Sequence, residues 1–123
     1  MQAQHEVRVL VVEDNHEVAE SLRSLLCECG FHVAVAHNGE EGMKAARNLE
    51  PHVVLCDIDL PGEDGYTVGA VLRQSSCTGA RLIAVTGHGE PADRQRALAA
   101  GFDQHLAKPV DPATLLREME VTI

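Results

Sequence analysis

Val53-Val54-Leu55-Cys56-Asp57-Ile58-Asp59-Leu60-Pro61-Gly62 is the stretch on which the reading of this chain turns. Val53 to Cys56 reads as a strand, Asp57 closes it, and Pro61-Gly62 marks a turn. Its apolar run ahead of the acidic residue is uninterrupted, which suggests a central strand. Three more short apolar runs end the same way. Val9-Leu10-Val11-Val12 leads into Glu13 and Asp14, Leu82-Ile83-Ala84-Val85 into Thr86, and Leu106-Ala107 into Lys108.

The segments between these runs read as helices. Strands are expected at about Val7 to Val12, Phe31 to Ala36, Val53 to Cys56, Leu82 to Val85 and Gln104 to Ala107. Helices are expected from near Asn15 to Cys29, Gly39 to Asn48, Tyr66 to Gln74, Pro91 up to Gly101, and Pro112 to Glu120. Val18, Leu22, Leu25 and Leu26 give the first helix an apolar stripe. Five alternations of strand and helix predict an α/β fold with a doubly wound parallel sheet and helices on both faces. In such a sheet the carboxyl ends of the strands share one edge, where ligands bind. Glu13, Asp14, Asp57, Thr86 and Lys108 are therefore expected to converge.

Three neighbouring carboxylates repel one another, and a hard divalent cation removes the conflict. Mg²⁺ prefers oxygen ligands and is commonly held by one or two carboxylates with phosphate oxygens. Lys108 offers a compact positive charge and Thr86 a hydroxyl, both suited to phosphoryl oxygens. That leaves one carboxylate as nucleophile toward phosphorus. Asp57 is the choice, since Glu13 and Asp14 are adjacent and better placed to share a metal.

At these positions the chain resembles the receiver domain of two-component response regulators. The resemblance rests on Glu13-Asp14, on Asp57 within Leu55 to Gly65, on Thr86-Gly87 and on Lys108-Pro109, in order and at strand ends over almost the whole chain. It implies a flavodoxin-like sheet of order 2-1-3-4-5 in one domain over residues 1–123. It also implies a switch that takes a phosphoryl group onto Asp57 from a histidine kinase or histidine phosphotransfer protein, with Mg²⁺, for which Mn²⁺ can substitute. Glu13, Asp14, Asp57 and the backbone carbonyl of Asp59 would hold the metal. The chain would catalyse its own phosphorylation and dephosphorylation without turning over an external substrate.

His105 stands where receivers usually carry Tyr or Phe, so the resemblance makes it the side chain that swings inward when Thr86 closes on the phosphoryl group. Asp59 and His88 fall at two positions that set phosphoryl lifetime in the family. Neither is the common residue there. The Asp59 side chain is expected to be a rim charge, and with His88 to lengthen the lifetime.

The segments Ala84 to Gly89 and Ala100 to Val110 resemble receivers appended to hybrid sensor kinases, so a kinase or effector domain in the same polypeptide is a further expected partner. A pseudo-receiver that only binds partners is disfavoured by the intact set of site residues. Asp57-Ile58-Asp59 also resembles the aspartate pair of haloacid-dehalogenase-type phosphohydrolases. That motif should follow the first strand, and here it follows the third.

Composition fits this reading. The 123 residues suit one domain, and 45% hydrophobic with only 2% aromatic residues predicts an aliphatic core. A net charge of -9 argues against direct nucleic-acid binding. Without a membrane-length apolar run or a signal-peptide start, a cytoplasmic location is expected. Cys27, Cys29, Cys56 and Cys77 are expected to be reduced and mostly buried, and the seven histidines to be scattered over different elements.

Overall fold

The computed structural model describes residues 7–60, 62–75, 77, 79–87 and 90–119. Ten elements alternate along them: β1 (Arg8–Val12), α1 (His16–Glu28), β2 (His32–Ala36), α2 (Gly39–Leu49), β3 (Val53–Asp57), α3 (Gly65–Gln74), β4 (Arg81–Thr86), α4 (Pro91–Ala100), β5 (Gln104–Ala107) and α5 (Pro112–Met119). Their bounds lie within a residue or two of those expected from sequence, and Glu120 lies outside the described residues. Local chemistry sets several ends. The Asn15 side chain accepts from Glu17 N and Val18 N at the start of α1, and Asp64 accepts from Tyr66 N at the start of α3. Gly101, at φ 110°, ends α4 in the left-handed region.

The five strands form one parallel sheet of order β2-β1-β3-β4-β5. β3 lies at the centre and is buried throughout, as its unbroken apolar run requires. Alternation along the strands splits the core in two. Val9, Val11, Val53, Leu55 and Ile83 pack with Leu26, Leu115 and Met119 of α1 and α5. Leu10, Val12, Val54, Cys56, Leu82 and Ala84 pack with Val68, Leu72, Ala97 and Phe102 on the other face. Pairings such as Val12 with Cys56, Asp57 with Val85 and Thr86 with Ala107 bring the strand ends to one edge.

Burial varies along the α1 stripe, and fewer cysteines are buried than expected. Val18 of the α1 stripe is 38% exposed, because α1 leaves a cavity of about 890 Å³ between itself and the β5–α5 connection. Cys56 and Cys77 are buried, but Cys27 is exposed and Cys29 half-buried. Beside them Leu26, fully buried, takes the core-facing position of this part of α1. Among the described residues no helix is long and apolar enough to cross a membrane.

Candidate functional site

Glu13 follows β1, Asp57 ends β3 and Lys108 follows β5, so the fold gathers residues almost a hundred positions apart. One oxygen from each of Glu13, Asp14 and Asp57 lies within 4.8 Å of the others. Glu13 and Asp57 are buried, at 4% and 3% exposure, and Asp14 is half-buried. The Lys108 ammonium stands 3.3 Å from Glu13 Oε1 and 3.2 Å from Asp57 Oδ2, bridging the two. Backbone donors hold the outer oxygens: Asn15 N–H donates to Glu13 Oε2 at 3.1 Å and Asp59 N–H to Asp57 Oδ1 at 2.9 Å.

The electrostatics are strained in the direction a cation would relieve. Burial and the neighbouring Asp57 push the Glu13 carboxyl above the usual carboxylate range, against the opposing pull of the Asn15 N–H and Lys108. Desolvation alone would lower the Lys108 ammonium, but Asp57 and Glu13 outweigh it and hold it above its ordinary value. Beneath them the Cys56 thiol is driven up by burial and then by the charge of Asp57, so it is an inert core residue. Three carboxylates with hard oxygen donors in one partly open pocket fit a divalent cation of the Mg²⁺ type.

Thr86 is brought to the same edge on a different arrangement. It is 2% exposed, and its hydroxyl donates to Asp59 Oδ2 at 3.3 Å. The Gly87 N–H donates to the same oxygen, also at 3.3 Å. Asp59 is exposed, as a rim residue should be, but its carboxylate is engaged with the end of β4 rather than pointing freely to solvent. A one-dimensional reading has no means of pairing the β3–α3 loop with residues 27 and 28 positions further on.

His105 lies on β5, away from the carboxylates, lining a cavity of about 530 Å³ with Glu90, Arg94, Gln95 and Leu98. Among the described residues its Nε2 is buried without a hydrogen-bond partner, and desolvation lowers its pKa, countered in part by Asp93 and reinforced by Arg94. His88 lies outside the described residues.

Strand-end reasoning does not find three features here. Arg96 of α4 sits over the Tyr66 ring at 4.4 Å and reaches Asp64 at 3.1 Å, walling the cavity shared by Asp59 and Thr86. Nothing in the sequence links these residues, because the packing of α3 against α4 creates the contact. Glu63 Oε1 accepts from Gly39 N at 2.7 Å, tying the β3–α3 loop to α2. His16 and His37, expected to be scattered, stack with centroids 3.7 Å apart, and His37 Nδ1 lies 3.0 Å from the Glu13 carbonyl.

A family model described as the response regulator receiver domain matches residues 9–120. The chain belongs to this family. An uncharacterized 14.6 kDa protein of Leptolyngbya boryana is 34% identical over 118 residues, covering 95% of this receiver and 90% of that protein. The DNA-binding response regulator MtrA of Mycobacterium tuberculosis is 34% identical over 116 residues, which cover 94% of this receiver. The receiver spans about half of MtrA, 50% of its length.

Solved structures agree. A CheY-like receiver domain protein from Methanospirillum hungatei superposes with a TM-score of 0.85 at 29% identity, covering 92% of this chain and 90% of that one. A response regulator from Burkholderia pseudomallei, solved with a phosphorylated aspartic acid, a calcium ion and citrate, gives 0.88 at 29% identity, covering 94% and 67%. The receiver fold puts Asp57 on the third strand, not the first, as the phosphohydrolase reading would need.

Proposed function

We propose that this receiver is a phosphorylation-activated signalling switch that accepts a phosphoryl group on Asp57 from the phosphohistidine of a histidine kinase or histidine phosphotransfer protein. The observation that carries the reading is the convergence of Glu13, Asp14 and Asp57 within 4.8 Å, with Lys108 against two of them. An Asp57 carboxylate oxygen forms the new bond to phosphorus as the bond from phosphorus to the imidazole nitrogen breaks, and the imidazole leaves neutral after taking up a proton. The Lys108 ammonium neutralises charge on the transferring group, and the Asp59 N–H keeps the Asp57 carboxylate oriented. Mg²⁺, or Mn²⁺ in its place, would be held by Glu13, Asp14, Asp57 and the Asp59 carbonyl, and supplies neutralisation of the phosphoryl oxygens.

Beside the site, Val18, Leu22, Leu25, Pro109 and Val110 line the apolar cavity between α1 and α5. In this reading the donor histidine is presented from this cavity, because Asp57 is among the residues that line it. Signalling from the cytoplasm, with further domains of the same polypeptide as one class of target, accords with this donor chemistry.

The metal assignment has its own test. Asp14→Ala removes one of the three carboxylates and leaves the folded core untouched, so Mg²⁺ affinity by calorimetry falls by roughly tenfold or more, the effect of deleting a charged ligand worth at least about 1.4 kcal/mol. An unchanged affinity would remove Asp14 from the ligand set.

Output follows from the added charge. A phosphoryl group brings about one to two negative charges and three acceptor oxygens, which draw in the Thr86 hydroxyl and Lys108. Movement of Thr86 makes room for His105, and α4, which buries only Ala97, is loosely enough held to follow. The switched surface is then the α4–β5–α5 face with Arg94, Leu98, His105 and Val110, where a protein partner docks. Adding beryllium fluoride with Mg²⁺ is expected to shift the amides of that face as well as those beside Asp57. Shifts confined to the surroundings of Asp57 would reject the coupling.

A further inference from the structure

The Asp59 carboxylate holds two donors at once, the Thr86 hydroxyl and the Gly87 N–H, each 3.3 Å from the same oxygen. Its own N–H donates to Asp57 Oδ1 at 2.9 Å. Asp59 thus bonds both to Asp57 and, through its side chain, to the end of β4. Thr86 opens onto the cavity walled by Tyr66, Asp93 and Arg96, whereas Asp57 opens onto the one between α1 and α5. A hydroxyl and a backbone N–H side by side form a small anion-binding pair. In the resting chain an internal anion already occupies it.

We infer that Asp59 is a positioning residue that acts as a resting-state latch, its carboxylate standing in for phosphoryl oxygens on Thr86 and Gly87 until phosphorylation of Asp57 displaces it. This rests on the proposed phosphorylation of Asp57 and adds a cost to it, since the two donors must leave Asp59 before they can stabilise the incoming group. No bond is made or broken at Asp59. Its charge and its position as hydrogen-bond acceptor do the work.

The test uses the intact chain with Mg²⁺ and compares wild type, Asp59→Asn and Asp59→Ala. Asn keeps an acceptor and loses the charge, and Ala loses both. Phosphorylation by acetyl phosphate is expected to quicken by roughly threefold to tenfold in Asp59→Ala, the worth of one ordinary intramolecular hydrogen bond, with Asp59→Asn in between. Phosphoramidate, a less anionic donor, should show the same order. In the unphosphorylated state the Gly87 amide proton should move upfield and exchange faster in Asp59→Ala.

A rate gain with acetyl phosphate alone and an unmoved Gly87 amide would mean simple charge repulsion, and the latch would be wrong. Equal rates in all three chains would likewise overturn it while leaving phosphorylation of Asp57 intact. Absence of phosphorylation in every chain would instead bring down the functional reading on which the latch depends.

Discussion

Asp57→Asn is expected to reduce phosphate incorporation from acetyl phosphate to background while the chain stays folded. The amide is nearly isosteric with the carboxylate, and its oxygen can still accept the Asp59 N–H that now donates to Asp57 Oδ1. What it lacks is the charge and the nucleophilic oxygen pair, and an amide oxygen does not form a stable bond to phosphorus. The neighbourhood also changes. Glu13 loses an adjacent buried anion, so one of the causes that raise its pKa disappears, and Lys108 keeps Glu13 as its partner at 3.3 Å. Unfolding in urea should therefore show a midpoint close to that of the wild type. Incorporation into the Asn variant at the wild-type rate, read on a phosphate-affinity gel, would move the acceptor to another residue.

Gly65→Ala is expected to cost stability and chemistry together. Gly65 is the first residue of α3, and a Cβ built on it would lie 2.5 Å from Ile58 Cα, 2.7 Å from the Asp57 carbonyl oxygen and 2.9 Å from the Ile58 carbonyl oxygen. All three are backbone atoms, so no rotamer change relieves the clash. The Gly65 N–H also donates to the Ile58 carbonyl at 3.2 Å, which fixes the approach. Either α3 moves outward or the end of β3 moves, and the end of β3 is Asp57. The expected loss is about 2 to 4 kcal/mol, the scale of overpacking at a close backbone contact, seen as a lower urea midpoint with an unchanged slope. Phosphorylation should slow in the same variant. Gly79→Ala is the control, since among the described residues a Cβ there meets nothing within 4 Å. A Gly65→Ala chain as stable as Gly79→Ala would show that the approach of α3 to β3 is not as close as described.

The two substitutions separate what the amino-acid order declares from what the fold adds. The apolar runs 9–12, 53–56 and 82–85 were readable as strands from their shortness and β-branched content, and they are strands in the fold. Polar residues at their ends must then meet at one edge once the strands are parallel, and so Glu13, Asp14, Asp57, Thr86 and Lys108 were legible from the chain itself. The α1 stripe was legible only in part. Periodicity marked Val18 as apolar without saying that α5 would stop short of covering it, so it lines a cavity rather than the core.

Tertiary structure alone decided the rest. Whether a carboxylate on the β3–α3 loop is a free rim charge or the partner of Thr86 and Gly87 depends on loop path and rotamer over a distance of 3.3 Å, and no local pattern encodes either. The stacking of His16 on His37, the placing of Arg96 over Tyr66 and the missing space at Gly65 have the same origin. Each is a contact between separate elements, fixed by how closely they approach one another. Strand and helix formation reports the order of residues along the chain, whereas these contacts report the distance between its layers.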